Sequence, residues 1–296
     1  MSDELDRKIR NFLCISMHGS ISAASEQLNV SQPSLSRQLA SLEAHLGNPL
    51  FRRTGRGLVL TDAGTHLASL AGPAFMAVDA AIAQIRDQFG ITQGSLRLAT
   101  VHTLTYYFLG DLVSRFVHQN QDVNVSFMAR SSTEVVKLVE SGRADLGFVY
   151  DSEVASKELI SMVLFTESMS MVVRLDPDNP APSVVDWSQQ PLRLVVFPSG
   201  YALRRMLDTC AVPYSVAAEV ETVDAMLELV SSGVGACILP TLIPQRVLDQ
   251  YHLTRITEVT PALNRKVVAI YRADPPPTAI TKAILGFAIE AAKALK

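Results

Sequence analysis

The apolar positions of the first sixty residues form short helical stripes. Leu5, Ile9, Phe12, Leu13 and Met17 recur at helical spacing over residues 3 to 18, and Gly19 stops the run. Ser20 or Ser22 is placed to cap a short second helix carrying Ala23, Ala24 and Leu28. A third helix is predicted from the N-cap candidate Ser31, through Pro33 in its first turn, to about Leu46, with Gly47 ending it. At 100° per residue, Leu35, Leu39, Leu42 and Leu46 fall within about 60° of each other, a core-facing stripe. Opposite lie Pro33, Arg37, Ala40 and Ala44, flanked by Ser34 and Ser41. A solvated face ordinarily carries Lys and Glu. One long donor among small residues lets a large partner approach closely, and suits a helix entering a DNA major groove.

Two strand-like runs follow, Leu50-Phe51 and Leu58-Val59-Leu60, around Arg52-Arg53-Thr54-Gly55-Arg56-Gly57. That pattern predicts a β-hairpin with a basic tip. Between Ser31 and Arg56 four Arg oppose Glu43, a local charge of +3 in a chain whose formal net charge is −3. The total charge points to no polyanion; the local patch does, through phosphate contact or minor-groove entry. Thr61 can cap the next helix, with Asp62 in its first turn. Leu67, Ala71, Ala74, Val78, Ala81 and Ile85 then follow at spacings of 4, 3, 4, 3, 4, with Phe75, Ile82 and Phe89 in a second row seven apart. Such a seam fits pairing with a second helix; a long core helix of the next domain is the alternative. Pro73 is a kink candidate, and Gly90 and Gln93-Gly94 break the run.

The remainder reads as a duplication. Leu96-Arg97-Leu98 is echoed by Leu192-Arg193-Leu194, and the run from Leu138 to Asp145 by that from Leu229 to Ala236, at offsets of 96 and 91 residues. Each echo precedes an apolar strand, Leu146 to Val149 and Cys237 to Leu239. Two lobes of β-α-β-α-β order are predicted, each a small parallel sheet under helices. The chain enters the second lobe near Thr166 to Met169, leaves it near Asn264 to Arg265, and returns through Val267 to Tyr271. A closing helix covers residues 279 to 294.

Ligands of open α/β sheets bind beyond the carboxyl ends of the strands. Those ends are Thr100 to Thr103, Ser131 to Thr133, Pro198 to Tyr201 and Glu221 to Val223. Their hydroxyls lie beside free helix N–H groups, a setting for a small anion or carboxylate, although Ser and Thr cap helices without any ligand too. The effector candidates are Thr100, His102, Thr103, Ser131, Ser132, Thr133, Ser199, Gly200, Tyr201 and Thr222, with Phe148 and Tyr150 as an apolar wall.

Composition narrows the alternatives. Apolar residues at 48% and charged residues at 19% exclude a disordered tail or a fibre. Three cysteines, Cys14, Cys210 and Cys237, are too few and scattered for a disulfide framework or a zinc site. A redox pair of Cys210 with Cys237 is a minor alternative. The longest apolar stretch, Leu67 to Ile85, contains Pro73, Asp79 and Gln84, and the acidic start is no export signal. The expectation is a cytoplasmic protein without a membrane partner. No GxSxG, HExxH, Walker or GxGxxG motif occurs, so neither an enzyme nor a cofactor is expected.

The first sixty residues resemble the winged helix-turn-helix of LysR-type transcriptional regulators. The match rests on Phe12, Gly19-Ser20, Ala23-Ala24, Leu28, the run Ser31 to Gln38, Leu42-Glu43, Leu46-Gly47, Leu50 to Arg53 and Leu60 to Gly64. The resemblance implies DNA contact by Gln32, Pro33, Ser34, Ser36, Arg37 and Gln38, with Arg53 and Arg56 in the wing. It also implies a double-stranded operator, a homodimer or homotetramer paired through linker helices, and a small-molecule effector. The expected architecture is a winged helix-turn-helix over residues 1–60, a linker helix over 61–90 and a two-lobed α/β effector domain over 91–296 resembling periplasmic binding proteins. Lobe one takes about 91–166 and 266–296, and lobe two about 167–265. A solute-binding module of a transporter is the rival reading.

Overall fold

Local signals of capping and spacing become tertiary structure in two units, residues 1–82 and 83–296. The computed structural model describes residues 2–55, 57–88, 94–151, 154–175, 182, 184–186, 191–210 and 213–295.

The first unit contains α1 (Ser2–His18), α2 (Ile21–Leu28), α3 (Gln32–Leu46), β1 (Phe51–Thr54), β2 (Gly57–Leu60) and the start of α4 (Asp62–Gln88). Its core is Phe12, Ile15, Ala24, Leu35, Leu39, Leu42 and Leu50. Leu46 is 41% exposed, contrary to the predicted stripe. It lies in the last turn before Gly47, whose φ of 69° ends the helix, and only the three earlier leucines reach the core. Ser20 caps α2 by accepting from the Ala23 amide at 3.5 Å.

The hairpin is tied down at both edges. Leu58 N donates to the Gly19 carbonyl at 3.0 Å. Gly57 has a φ of +121°, and a Cβ there would stand 2.9 Å from that same oxygen, so glycine is required twice over. On the other edge, Glu43 Oε1 accepts from Leu50 N at 2.7 Å and Phe51 N at 3.3 Å. Thr61 then starts α4, accepting from Gly64 N at 3.1 Å while donating to the Pro49 carbonyl at 2.7 Å. Gly64 is buried, and a Cβ on it would sit 2.1 Å from the Leu50 oxygen. Gly64→Ala is therefore expected to push α4 off the wing and cost about 1–3 kcal/mol. Denaturant unfolding of the first unit checks this; an unchanged midpoint would refute the close approach.

Helix α4 continues through Pro73. Leu67 packs on the core of the first unit, whereas Leu70, Val78 and Ile82 are 62%, 50% and 45% exposed. Arg10 of α1 grips α4 by donating to both oxygens of Asp79 at 3.0 Å, with its guanidinium over the Phe75 ring. Phe89 and the side chain of Ile85 lie outside the described residues.

The second unit begins with β3 (Gly94–Val101), a 3-10 turn (His102–Thr105), α5 (Leu109–Gln119), β4 (Val123–Arg130), α6 (Ser132–Glu140) and β5 (Leu146–Tyr150). The long β6 (Leu159–Arg174) carries the chain across, and β7 (Val184–Asp186) follows. Then come β8 (Leu192–Val196), α7 (Ala202–Thr209), β9 (Tyr214–Glu219), α8 (Val223–Ser231) and β10 (Cys237–Pro240). The chain ends with α9 (Gln245–Gln250), β11 (Leu253–Ile256), β12 (Glu258–Thr260), β13 (Asn264–Arg272) and α10 (Ala279–Lys293).

The echo in the sequence is an echo in space. Gly142 and Gly233, with φ of 66° and 79°, terminate the equivalent helices α6 and α8. At equivalent places Asp145 N donates to the Arg97 carbonyl and Ala236 N to that of Arg193. The pairs β3–β4, β3–β5 and β8–β9 are parallel, as predicted. The sheets are nonetheless mixed: β13 lies antiparallel to β5 and β6, and β6 antiparallel to β10 and β11. The chain crosses between lobes as extended strand, so the 16-residue β6 belongs to both. Core membership passes from lobe one to lobe two between Phe165 and Met169, and back between Leu263 and Val267.

Candidate functional site

Two concave surfaces stand out, one in each unit. In the first unit, the start of α3 and the wing enclose a groove lined by Ser22, Gln32, Pro33, Ser36, Arg53 and Thr54. Gln32, Pro33, Ser36, Arg37 and Arg53 are all exposed. Arg37 projects from the outer face, its Nε donating to the Pro33 carbonyl at 3.3 Å. Ser31 sits at the N-cap but its side chain makes no capping bond, leaving the hydroxyl outward.

Ser34 and Gln38 differ from the other α3 candidates. Both are half-buried, and Gln38 Nε2 donates to Ser34 Oγ at 3.3 Å. Gln38 Oε1 accepts from Asn11 Nδ2 at 2.5 Å, so the Gln38 amide is held inward by α1. Asn11, itself buried, was not singled out from sequence. Arg56 lies outside the described residues. The groove thus sets Arg53 beside exposed polar groups, a surface that suits a duplex backbone and its base edges.

In the second unit, a narrow cleft between the lobes is lined by His102, Thr103, Ser131, Ser132, Tyr150 and Tyr201, together with Arg130, Phe197 and Arg265. Its floor is a buried polar network. Arg265 and Glu167 face each other across β13 and β6 where the core changes lobe. Arg265 Nε donates to Glu167 Oε1 at 2.9 Å, and Nη2 to the Tyr150 hydroxyl at 2.6 Å. The guanidinium lies over the Tyr150 ring, 3.3 Å from its centroid. Thr103 Oγ1 meets the Tyr150 hydroxyl at 2.5 Å, and the Tyr107 hydroxyl donates to Glu167. Burial pushes both tyrosine hydroxyls well above the ordinary value, which keeps them protonated.

One wall is aromatic. Tyr201 stacks on Phe197 at 5.2 Å with ring planes 6° apart, and His102 stacks on Tyr201 from lobe one at 6.3 Å. Burial, then the nearby Arg130, holds the His102 imidazole below its ordinary value. At neutral pH it is an uncharged donor or acceptor.

Six of the twelve expected effector residues line this cleft; the others stand elsewhere for physical reasons. Phe148 is fully buried and meets Phe108 edge-on at 5.3 Å, because β5 is covered on both faces. Thr100 is likewise buried within β3. Thr133 is exposed, Ser199 and Gly200 occupy an exposed turn, and Thr222 caps α8 through the Ala225 amide at 3.2 Å. Ser131 reaches the cleft but is already engaged. Its amide and hydroxyl donate to Glu134 Oε2 at 3.1 and 2.6 Å, so the Glu134 carboxylate occupies the α6 N-terminus. The Ser131 hydroxyl holds the Glu134 carboxyl below its usual range. Arg265, Glu167, Tyr107 and Arg130 were missed. The available signal was a charge inside an apolar strand: Glu167 interrupts Leu159–Arg174, and Arg265 precedes Val267 to Ile270.

A winged helix-turn-helix with a basic groove, followed by one long helix and a two-lobed α/β binding domain, defines a ligand-responsive DNA-binding regulator. Residues 7–65 match the bacterial regulatory helix-turn-helix protein, lysR family, and residues 90–293 match the LysR substrate binding domain. The chain belongs to the LysR family of transcriptional regulators. It is 28% identical to the transcriptional dual regulator GltC of Bacillus subtilis over 241 residues, 79% of this chain and 80% of that protein. Its fold is similar to full-length CbnR complexed with its target DNA, with a TM-score of 0.57 and 22% identity over 97% of this chain and 99% of that one. The effector binding domain of QuiR in complex with shikimate matches 68% of this chain and 98% of its own, with a TM-score of 0.60 and 19% identity. Among the described residues, no helix is long and apolar enough to cross a membrane.

Proposed function

We propose that this regulator binds a two-fold operator in the cytoplasm as a dimer or dimer of dimers paired through α4. A small anionic effector held between the lobes controls it, and no cofactor is needed. The observation that carries this reading is the coexistence of two separate concave sites, a basic groove open on the first unit and a buried polar cleft in the second. CbnR is a relative in fold whose structure holds its target DNA, and QuiR one whose effector domain holds shikimate, a carboxylate. Both support the assignment of one site to DNA and the other to a small molecule. The effector acts by differential affinity for two arrangements of the lobes, which changes how paired DNA-binding units meet the duplex.

A gel shift with DNA upstream of the gene tests the reading, with Arg37→Ala as the probe of the groove. Arg37 lies on an exposed face and, among the described residues, bonds only within its own helix, so its loss leaves the fold intact. Operator affinity is expected to fall by about 1–3 kcal/mol. Unchanged affinity in the folded variant would remove Arg37 from the interface.

A further inference from the structure

We infer that Arg10 and Asp79 clamp the linker helix α4 across a weak step at Gly72-Pro73, and that this clamp sets the half-site spacing the protein accepts. The inference rests on the pairing of two chains through α4. Arg10 is then a positioning residue, acting on DNA only through α4.

The two sides of the step are held differently. At the base of α4, Ala63, Leu67 and Ala68 pack on the core of the first unit. Past Gly72-Pro73, every residue of α4 whose side chain is described is exposed, except Phe75. The step itself is weak for two reasons. Pro73 has no N–H for the Ser69 carbonyl, one turn earlier. Gly72 adds backbone freedom, and a Cβ there would meet nothing within 4 Å, so packing does not require glycine. Proline inside a helix is a usual place for a sharp bend.

Arg10 spans that step. Nη1 and Nη2 donate to the two oxygens of Asp79 at 3.0 Å each, and Nε donates to Asp6 Oδ2 at 3.3 Å, one turn back on α1. The guanidinium lies 4.4 Å from the centroid of the Phe75 ring. An ordinary exposed ion pair holds little, because two long side chains must be ordered for one contact. Here a second carboxylate and a ring align the same planar group, so three contacts share that cost. Phe75 and Asp79 are one turn apart, so α4 is gripped at two successive points beyond the step. Across a small domain of about 30 Å, a swing of about 20° moves the far edge by about 10 Å, roughly three base-pair steps. In a paired protein, the tilt of α4 on each winged unit therefore decides how far apart the two α3 helices stand.

The test uses the full-length protein and the DNA upstream of the gene, trimmed by footprinting to the protected site. Three probes are made: the whole site, the whole site with one base pair inserted at its centre, and one half. Gel shifts are read on wild type, Arg10→Met, Asp79→Asn and the exchanged pair Arg10→Asp/Asp79→Arg, with sedimentation to follow the dimer. Wild type is expected to bind the lengthened site about tenfold more weakly than the natural one. In both single variants that ratio should fall to about threefold or less, with half-site affinity unchanged and the dimer intact. The exchanged pair should restore the ratio, since its guanidinium again meets two carboxylates on α1. Should Arg10→Met fail to fold, Asp79→Asn, an isosteric change at an exposed position, decides alone. A tenfold ratio kept in the single variants overturns the clamp, and so does an exchanged pair that stays permissive. An equal loss on half-site and whole site also overturns it, because Arg10 would then only support the winged unit. A dimeric wild type indifferent to spacing overturns it as well. A wild type that is monomeric, or does not retard the fragment, overturns the pairing through α4 and the proposed function with it.

Discussion

Glu167→Ala is expected to cost the two-lobed domain about 3–5 kcal/mol, the usual consequence of leaving a buried charge without its counter-ion. Glu167 is 2% exposed and accepts from Arg265 at 2.9 Å, with the Tyr107 hydroxyl as a second donor. Truncation strands the buried Arg265 guanidinium and the Tyr107 hydroxyl without their acceptor. The pair also sits on β6 and β13, the two strands that carry the chain between lobes, so its loss is felt in both cores. Glu167→Gln keeps the shape but only one of the two acceptor oxygens, its amide nitrogen being a donor, and should fall between wild type and alanine. The double variant Glu167→Ala/Arg265→Met should recover part of the loss, because removing both charges ends the desolvation penalty. Denaturant unfolding followed on the second unit provides the measurement. A loss below about 1 kcal/mol would place the pair with exposed ion pairs of little consequence.

The dimer proposed through α4 should dissolve in Val78→Asp. Val78 is 50% exposed on the single chain, one turn from the exposed Ile82 on the long helix α4, and it is not part of the core of the first unit. A carboxylate there costs the folded chain little and the paired helices a great deal, since it would be desolvated against an apolar partner. Sedimentation should show monomer at concentrations where the wild type is dimeric. Affinity for a two-half-site operator should drop by about 100-fold or more, as two linked binding events become one. A variant that stays dimeric would mean that this seam serves another contact.

Much of the fold was legible because its signals are local. Gly47 ends its helix in the left-handed region, as its place after the leucine stripe predicts, and Gly142 and Gly233 do the same at matching places in the echoed runs. Thr61 and Thr222 cap, and the duplicated Ser-Gly steps mark the same corner in each lobe. Leu46 failed because periodicity shows which way a side chain points, not how far the neighbouring helices extend. Phe148 failed because a strand covered on both faces carries no alternation to separate cleft from core. Ser131 was a partial miss that its own neighbourhood could have prevented. Ser131 and Glu134 form the S-x-x-E pattern of a capping box, which commits the hydroxyl and the helix terminus to Glu134. The adjacent Ser132, one position into the helix, is the one left free.

The helices of the first unit, the basic wing and the apolar seam of α4 followed from the sequence by itself, because each depends on residues within a few positions of one another, and the repeat of the effector domain followed from segments that resemble each other about 90 residues apart. Only the tertiary structure decided the chemistry of the cleft. Glu167 and Arg265 lie 98 positions apart and meet through the pairing of β6 with β13. Tyr107 and Tyr150 join them from two further elements of lobe one. A buried charge is tolerated only where partners converge on it, and convergence is a property of packing that no local pattern encodes.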